Sequence, residues 1–132
     1  MKYLLLMYAD EKGGANLPKD QMDAWLLRIR DWSQAMQKAG VLVQASGLHP
    51  TSAAVTVRLR DGKRLVTHGP FAETREQLGG FYVLECKDID EASDWAGKAP
   101  GAVYGSVEVR PLWDMDLTAA IEAARARGFL RK

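Results

Sequence analysis

The sequence predicts an α+β fold in which one antiparallel sheet is backed on a single face by two helices. Three observations carry that reading. Strand-like apolar runs and helix-periodic segments follow one another as strand, helix, hairpin arm, strand, helix, strand. Asp61-Gly62 stands between two alternating runs, the strongest short-range hairpin signal. Two strand segments, Tyr3 to Tyr8 and Leu78 to Cys86, are apolar at both odd and even positions, a pattern that demands burial on both faces.

Composition limits the classes of function. A chain of 132 residues is one domain on size, and 47% hydrophobic residues supply a core without disulfides or a structural metal. The formal net charge is +1, with no basic excess of the kind that nucleic-acid binding needs. Cys86 is the single cysteine, which excludes an intramolecular disulfide and fits a reducing compartment. Lys2 precedes an apolar run of about six residues, too short for a signal peptide, and Asp10-Glu11-Lys12 follows without a cleavage site. No run approaches the roughly 20 apolar residues of a membrane span. The expectation is a soluble cytoplasmic protein with neither a membrane nor a nucleic-acid partner.

Each element follows from local chemistry. Tyr3 to Tyr8 is the first strand, and Glu11 to Asn16 a glycine-containing loop. Pro18 fits a first helical turn, with Asp20 and Asp23 near the positive dipole end. Met22, Trp25, Leu26, Ile29, Trp32, Ala35 and Met36 recur at three- and four-residue steps, an amphipathic helix whose stripe reads as core. Gly40 closes it. Val41 to Leu48 is a strand or an extended arm, turned at His49-Pro50. Val55, Val57 and Leu59 alternate with Thr56, Arg58 and Arg60, and Lys63 to Thr67 runs back. A two-residue Asp61-Gly62 loop pairs Arg60 with Lys63, Val57 with Val66, and Val55 with His68. His68 then shares the valine face and points toward the interior.

Beyond the connection from Thr67 to Phe81, Gly79-Gly80 permits a bulge or a close backbone approach. Asp88 is an N-cap with Glu91 at the capping-box position, opening a helix through Ala92, Trp95 and Ala96. Gly97 to Gly101 reads as a loop. Gly105 to Arg110 is the last strand, with Val107 and Val109 on one face and Glu108 and Arg110 on the other. Asp114 to Arg127 is a C-terminal helix, acidic at its start and basic at its end. The order is that of a ferredoxin-like βαββαβ domain over residues 1–113, extended by a helical segment over 114–132. Helices cover one sheet face, while the other is equally apolar, so the chain is expected to pair sheet to sheet as a homodimer.

The run Thr67-His68-Gly69-Pro70-Phe71-Ala72-Glu73-Thr74-Arg75-Glu76-Gln77-Leu78-Gly79-Gly80-Phe81 resembles the signature of the YciI-related family, also called DGPF-domain proteins. The first eight residues and Gly105-Ser106-Val107-Glu108-Val109-Arg110-Pro111 match the family's usual ends. The resemblance implies a dimeric α/β barrel of two ferredoxin-like chains. Most such proteins lack an assigned activity. A His-Asp pair is proposed as catalytic in some, and the wider superfamily includes enzymes acting on small cyclic or aromatic compounds. Genes of the family often lie near alternative sigma factors. The family motif normally opens on aspartate, where this chain carries His68, so an inherited mechanism would have to be rebuilt on imidazole.

His68 is therefore the candidate acid/base, with Glu73 or Glu76 as its carboxylate partner, and a cofactor-independent lyase or isomerase is the leading function. Its structural alternative is a hydrogen-bonded histidine at the turn before Gly69-Pro70. Tyr8, Arg75, Glu76, Tyr82, Glu108 and Arg110 are candidate ligand contacts. The alternatives are backbone caps for the glutamates, a partner-chain acid for Arg75, solvated edge charges for Glu108 and Arg110, and plain packing for the tyrosines. The second functional reading is a non-catalytic ligand-binding or regulatory dimer, linked through the resemblance to sigma-factor control. A third is an interaction protein whose C-terminal helix contacts another factor. His49, His68 and Cys86 match no metal-ligand spacing, and no phosphate loop, dinucleotide fingerprint or nucleophile elbow is present, so neither metal nor cofactor is expected.

Overall fold

The computed structural model describes residues 1–130. Its main sheet has four antiparallel strands: β1 (Lys2–Ala9), β2 (Leu42–Gly47), β5 (Gln77–Glu85) and β6 (Ser106–Pro111), in the order β2-β5-β1-β6. That spatial order, with a helical crossover after the first and after the third strand of the sheet, is the expected ferredoxin-like arrangement. The Asp61-Gly62 hairpin, β3 (Val55–Arg60) and β4 (Lys63–His68), is inserted between β2 and β5 and forms a two-stranded sheet of its own.

The register decides what each face carries. Cross-strand partners share a face. Tyr3, Leu5 and Met7 of β1 stand with Leu84, Tyr82 and Gly80 of β5 and with Pro111, Val109 and Val107 of β6. Against this face pack α2 (Lys19–Lys38) and α3 (Ile89–Gly97), enclosing Leu5, Met36 and Leu84 completely and burying Tyr3, Trp32, Val41, Cys86, Ala92 and Ala96 around them. The indole of Trp32 donates to the Trp95 carbonyl at 3.0 Å and so joins the two helices. Gly40, at φ +75°, turns the chain out of α2 as its C′ residue. Asp88 caps α3 by accepting from the Glu91 amide at 2.9 Å.

Several local expectations are corrected. Glu11–Ala15 is a short helix, α1, because the Asp10 carboxylate accepts the Lys12 amide at 2.9 Å and caps it. The expected loop after α3 closes into a helical turn, α4 (Gly101–Tyr104). The C-terminal helix α5 runs Leu117–Ala126, starting later than Asp114 because Asp116 is the capping carboxylate, accepting from Ala119. Val41 to Leu48 resolves as an edge strand of the sheet.

The hairpin forms in the expected register, Val55 opposite His68, Val57 opposite Val66 and Arg60 opposite Lys63. Its orientation is different from expectation. The valine face does not point into the core of this chain: Val55, Val57 and Val66 are 54%, 60% and 48% exposed, and His68 is exposed beside them. The hairpin shares no ladder with the main sheet, and among the described residues none covers its valine face enough to bury it.

Candidate functional site

A one-residue irregularity in β5 borders a cleft between the sheet and α2. Met7 pairs with Gly80 but Tyr8 pairs with Leu78, so Gly79 is the extra residue of a bulge. At Gly80 a Cβ would lie 3.0 Å from the Ser46 carbonyl oxygen, so any side chain there would press β2 back by a few tenths of an ångström. Side chains are thus missing from the end of the sheet that faces the first half of α2. Across from that gap, α2 presents Trp25, Ile29 and Trp32 at positions i, i+4 and i+7, along one stripe. The result is a cleft of about 440 Å³ lined by Met7, Trp25, Ile29, Trp32, Tyr82 and Pro100, with Gly47, Gly79, Gly80 and Gly101 leaving it open.

The cleft has stiff walls. Trp32 meets Tyr82 edge-on, ring centroids 4.6 Å apart, and the Tyr82 hydroxyl and Ser33 Oγ share a hydrogen bond at 3.3 Å. Trp25 packs on Tyr104 at 5.4 Å. Ala9 and Trp25 also border a second, outer space of about 600 Å³, where Asp10, Gln21, Arg28 and Tyr104 supply the polar rim. Both spaces are walled mainly by apolar and aromatic side chains, and the outer one adds charge at its rim. No carboxylate or imidazole lines the inner chamber.

The opposite sheet face carries Leu4, Leu6 and Tyr8 of β1, Phe81 and Val83 of β5, and Ser106, Glu108 and Arg110 of β6. Glu76 reaches this face, its carboxylate accepting the Ser106 hydroxyl at 3.3 and 3.4 Å, and Glu108 pairs with Arg110. Four of the expected ligand contacts, Tyr8, Glu76, Glu108 and Arg110, thus sit on one face. Tyr82 does not join them; it is on the helix face and walls the cleft. The backbone around Tyr8 borders the cleft from the sheet end as well.

The proposed acid/base residues lie elsewhere. His68 ends β4 on the exposed hairpin and lines neither space. After it, Gly69 takes φ +108°, its amide donates to the Ala54 carbonyl at 2.7 Å, and its carbonyl accepts the Thr56 hydroxyl at 2.9 Å. Phe71 then lies under the Arg58 guanidinium, 4.9 Å from its ring centre. Glu73 and Arg75 are exposed, and among the described residues no ion pair or side-chain hydrogen bond involves His68, Glu73 or Arg75. Among the described residues no three of His, Cys, Asp and Glu converge as metal ligands, and no helix is long and apolar enough to cross a membrane.

Trp25, Arg28 and Tyr104 were not among the sequence candidates. The apolar stripe of α2 reads as core, and its second half is: Trp32 and Met36 are buried. The signal that separates the first half is Gly79-Gly80, since a strand without side chains cannot fill the space facing an aromatic stripe.

With the two faces described, the relatives can be placed. A family model described as "YCII-related domain" matches residues 1–116. The chain belongs to the YCII-related family. An uncharacterized protein from Rhizobium meliloti (strain 1021) is 42% identical over 114 residues, which is 85% of this chain and 92% of that protein. The family match takes in the strands, the hairpin, the signature loop and both faces of the sheet, and ends before α5.

Proposed function

We propose that this YCII-related chain is a homodimeric binding protein that holds a small, mostly apolar molecule in the cleft between α2 and the sheet, without performing chemistry on it. The observation that carries the reading is the cleft itself: about 440 Å³, within the range of small-molecule sites, walled by Trp25, Trp32 and Tyr82 and free of acid or base. An acid/base enzyme built on His68 and Glu73 needs a cavity beside them, and within one chain both residues face solvent.

The homodimer rests on the other face. Leu4, Leu6, Phe81 and Val83 form a half-buried apolar field, and a second copy covers it by symmetric sheet-to-sheet packing. Tyr8, Glu76, Glu108 and Arg110 then line the seam. The Glu76–Ser106 and Glu108–Arg110 contacts reduce the cost of taking their charges out of water.

The test uses sedimentation at micromolar concentration beside thermal melts with a panel of metabolites. Wild type sediments as a dimer, and Leu6→Glu, which places a charge in the apolar field, sediments as a monomer. A metabolite that raises the melting temperature is recovered unchanged. A monomeric wild type removes the dimer, and turnover abolished by His68→Ala replaces the binding reading with the enzymatic one.

A further inference from the structure

The cleft has two compartments of different chemistry, and together they specify a class of ligand. This step rests on the binding reading above and asks what the cleft selects. Its inner chamber is built from flat surfaces: Trp32 and Tyr82 set edge to face at 4.6 Å, with Met7, Ile29 and Pro100 closing the sides. The polar atoms of these walls are already engaged, the Trp32 indole by the Trp95 carbonyl and the Tyr82 hydroxyl by Ser33. A ligand group entering there gains apolar and ring–ring contact and little hydrogen bonding.

The outer space is also walled mainly by apolar side chains, but its rim carries charge. Ala9 and Trp25 border both spaces, so the two adjoin. One helical turn beyond Trp25 on α2 stands Arg28, exposed and, among the described residues, in no ion pair. The acid across the rim, Asp10, is occupied as the cap of α1 through the Lys12 amide. Gln21 is neutral. Among the described residues Arg28 is thus the rim charge left without a hydrogen-bonded or ionic partner, and a guanidinium is the cation best shaped to receive a carboxylate.

We infer that the cleft binds a small aromatic carboxylic acid, its ring system in the inner chamber against Trp25, Trp32 and Tyr82 and its carboxylate at Arg28. Orientation follows from the placement of charge: the inner chamber holds no cation for the carboxylate, and Arg28 stands at the outer space alone.

The probe is 2-naphthoate, with 2-naphthylmethanol as its uncharged match, titrated into the full chain and followed by the indole signals in proton–nitrogen correlation spectra. The acid moves the Trp25 and Trp32 signals and leaves Trp113, which is 82% exposed and outside the cleft, in place. It binds about three- to fivefold more tightly than the alcohol, the gain of one rim-exposed charge pair. Arg28→Gln removes that difference and leaves the alcohol's affinity unchanged.

Gly101→Leu fills the inner chamber and weakens both probes by about tenfold or more; a Cβ there meets only Met7 Cε, at 3.5 Å. Gly47→Leu, at a position with open space around its Cβ, is the second filling variant should the first fail to fold. Equal affinity for acid and alcohol in wild type, with the filling variants still weakening both, overturns the ligand class and leaves the cleft as a binding site. Trp25 and Trp32 signals that neither probe moves overturn both. A Trp25 signal that shifts with protein concentration alone assigns the cleft to a segment of a second copy, and also overturns the proposal.

Discussion

Gly105 carries the most exacting test of the fold around the cleft. It precedes β6, where Ser106 pairs with Tyr8 at the end of the β1–β6 ladder. A Cβ at Gly105 would lie 2.0 Å from the Tyr8 carbonyl oxygen and 3.1 Å from Ala9 Cα. Backbone cannot swing aside as a side-chain tip can, so Gly105→Ala has to push β1 and β6 apart by about 1 Å. The same residue's amide donates to the Gly101 carbonyl at 2.8 Å, closing α4, and that bond is lost with the shift. Overpacking of this kind costs about 1–3 kcal/mol and a lost hydrogen bond about 1 more, together roughly 2–4 kcal/mol. For a chain of this size that is a fall in Tm of about 10 °C. Gly101→Ala is the matched control: its Cβ makes an ordinary contact with Met7 Cε, and the loss of unfolded-chain freedom favours it by about 0.5 kcal/mol. Urea melts followed by tryptophan fluorescence, at one protein concentration for every variant, measure both. A Gly105→Ala protein as stable as wild type, or a Gly101→Ala protein as damaged as Gly105→Ala, refutes the reasoning.

Trp32→Phe removes the indole hydrogen bond to the Trp95 carbonyl, which keeps the Lys98 amide, and thins the α2–α3 contact; urea melts are expected to find it about 1–2 kcal/mol less stable. Burial first, and Glu91 beside it second, push the Cys86 thiol up from 9.0 to about 11. The unfolded chain releases that proton near pH 9 while the folded one keeps it, so this contribution to stability is complete below pH 9 and is lost from there to about pH 11. Cys86→Ala is expected to flatten that part of the stability–pH curve, and the native thiol to react with a disulfide reagent at pH 8 far more slowly than the urea-unfolded one. His68→Asp, which installs the family's usual residue, changes an exposed position without a described side-chain partner; melts are expected to stay within about 0.5 kcal/mol of wild type and probe binding to be unaltered.

The elements legible in the sequence were those whose chemistry is local. Asp61-Gly62 sets a two-residue turn, and from it every pair of the β3–β4 register follows by counting. Asp88 with Glu91, and Gly40 after Met36, mark helix ends through backbone bonds that involve only near neighbours. What failed was direction. Alternation places His68 with Val55 and Val57, but which side of the hairpin meets a second layer depends on contacts from outside the hairpin, and this chain supplies none. The cleft was hidden for a related reason. Trp25, Trp32 and Met36 belong to one stripe with one periodicity, and it takes the glycines of a distant strand to leave Trp25 and Trp32 bordering open space while Met36 is fully enclosed.

The residues of the signature loop divide by destination. His68, Glu73 and Arg75 stay at the surface, Glu76 turns to the open face to meet Ser106, and Gly79-Gly80 alone reach the cleft. The glycines act there by what they lack: the bulge at Gly79 shifts the β1–β5 register, and Gly80 lets the Ser46 carbonyl come within 3.0 Å of where a Cβ would stand. Gln77, between the two groups, accepts the Glu11 amide at 3.0 Å, and Glu11 in turn accepts the Thr51 amide and hydroxyl at 2.8 Å. The same stretch that marks the family therefore ties β1, the hairpin's base and β5 together at the mouth of the cleft. A motif can be long and specific because it builds a shape with several tight tolerances, without any of its charged residues touching what the shape holds. His68 lies on the exposed hairpin and lines neither space, so its exchange for aspartate is expected to leave the cleft intact, whereas Trp25, Arg28 and Trp32, which border the two spaces, lie on α2 and outside the signature.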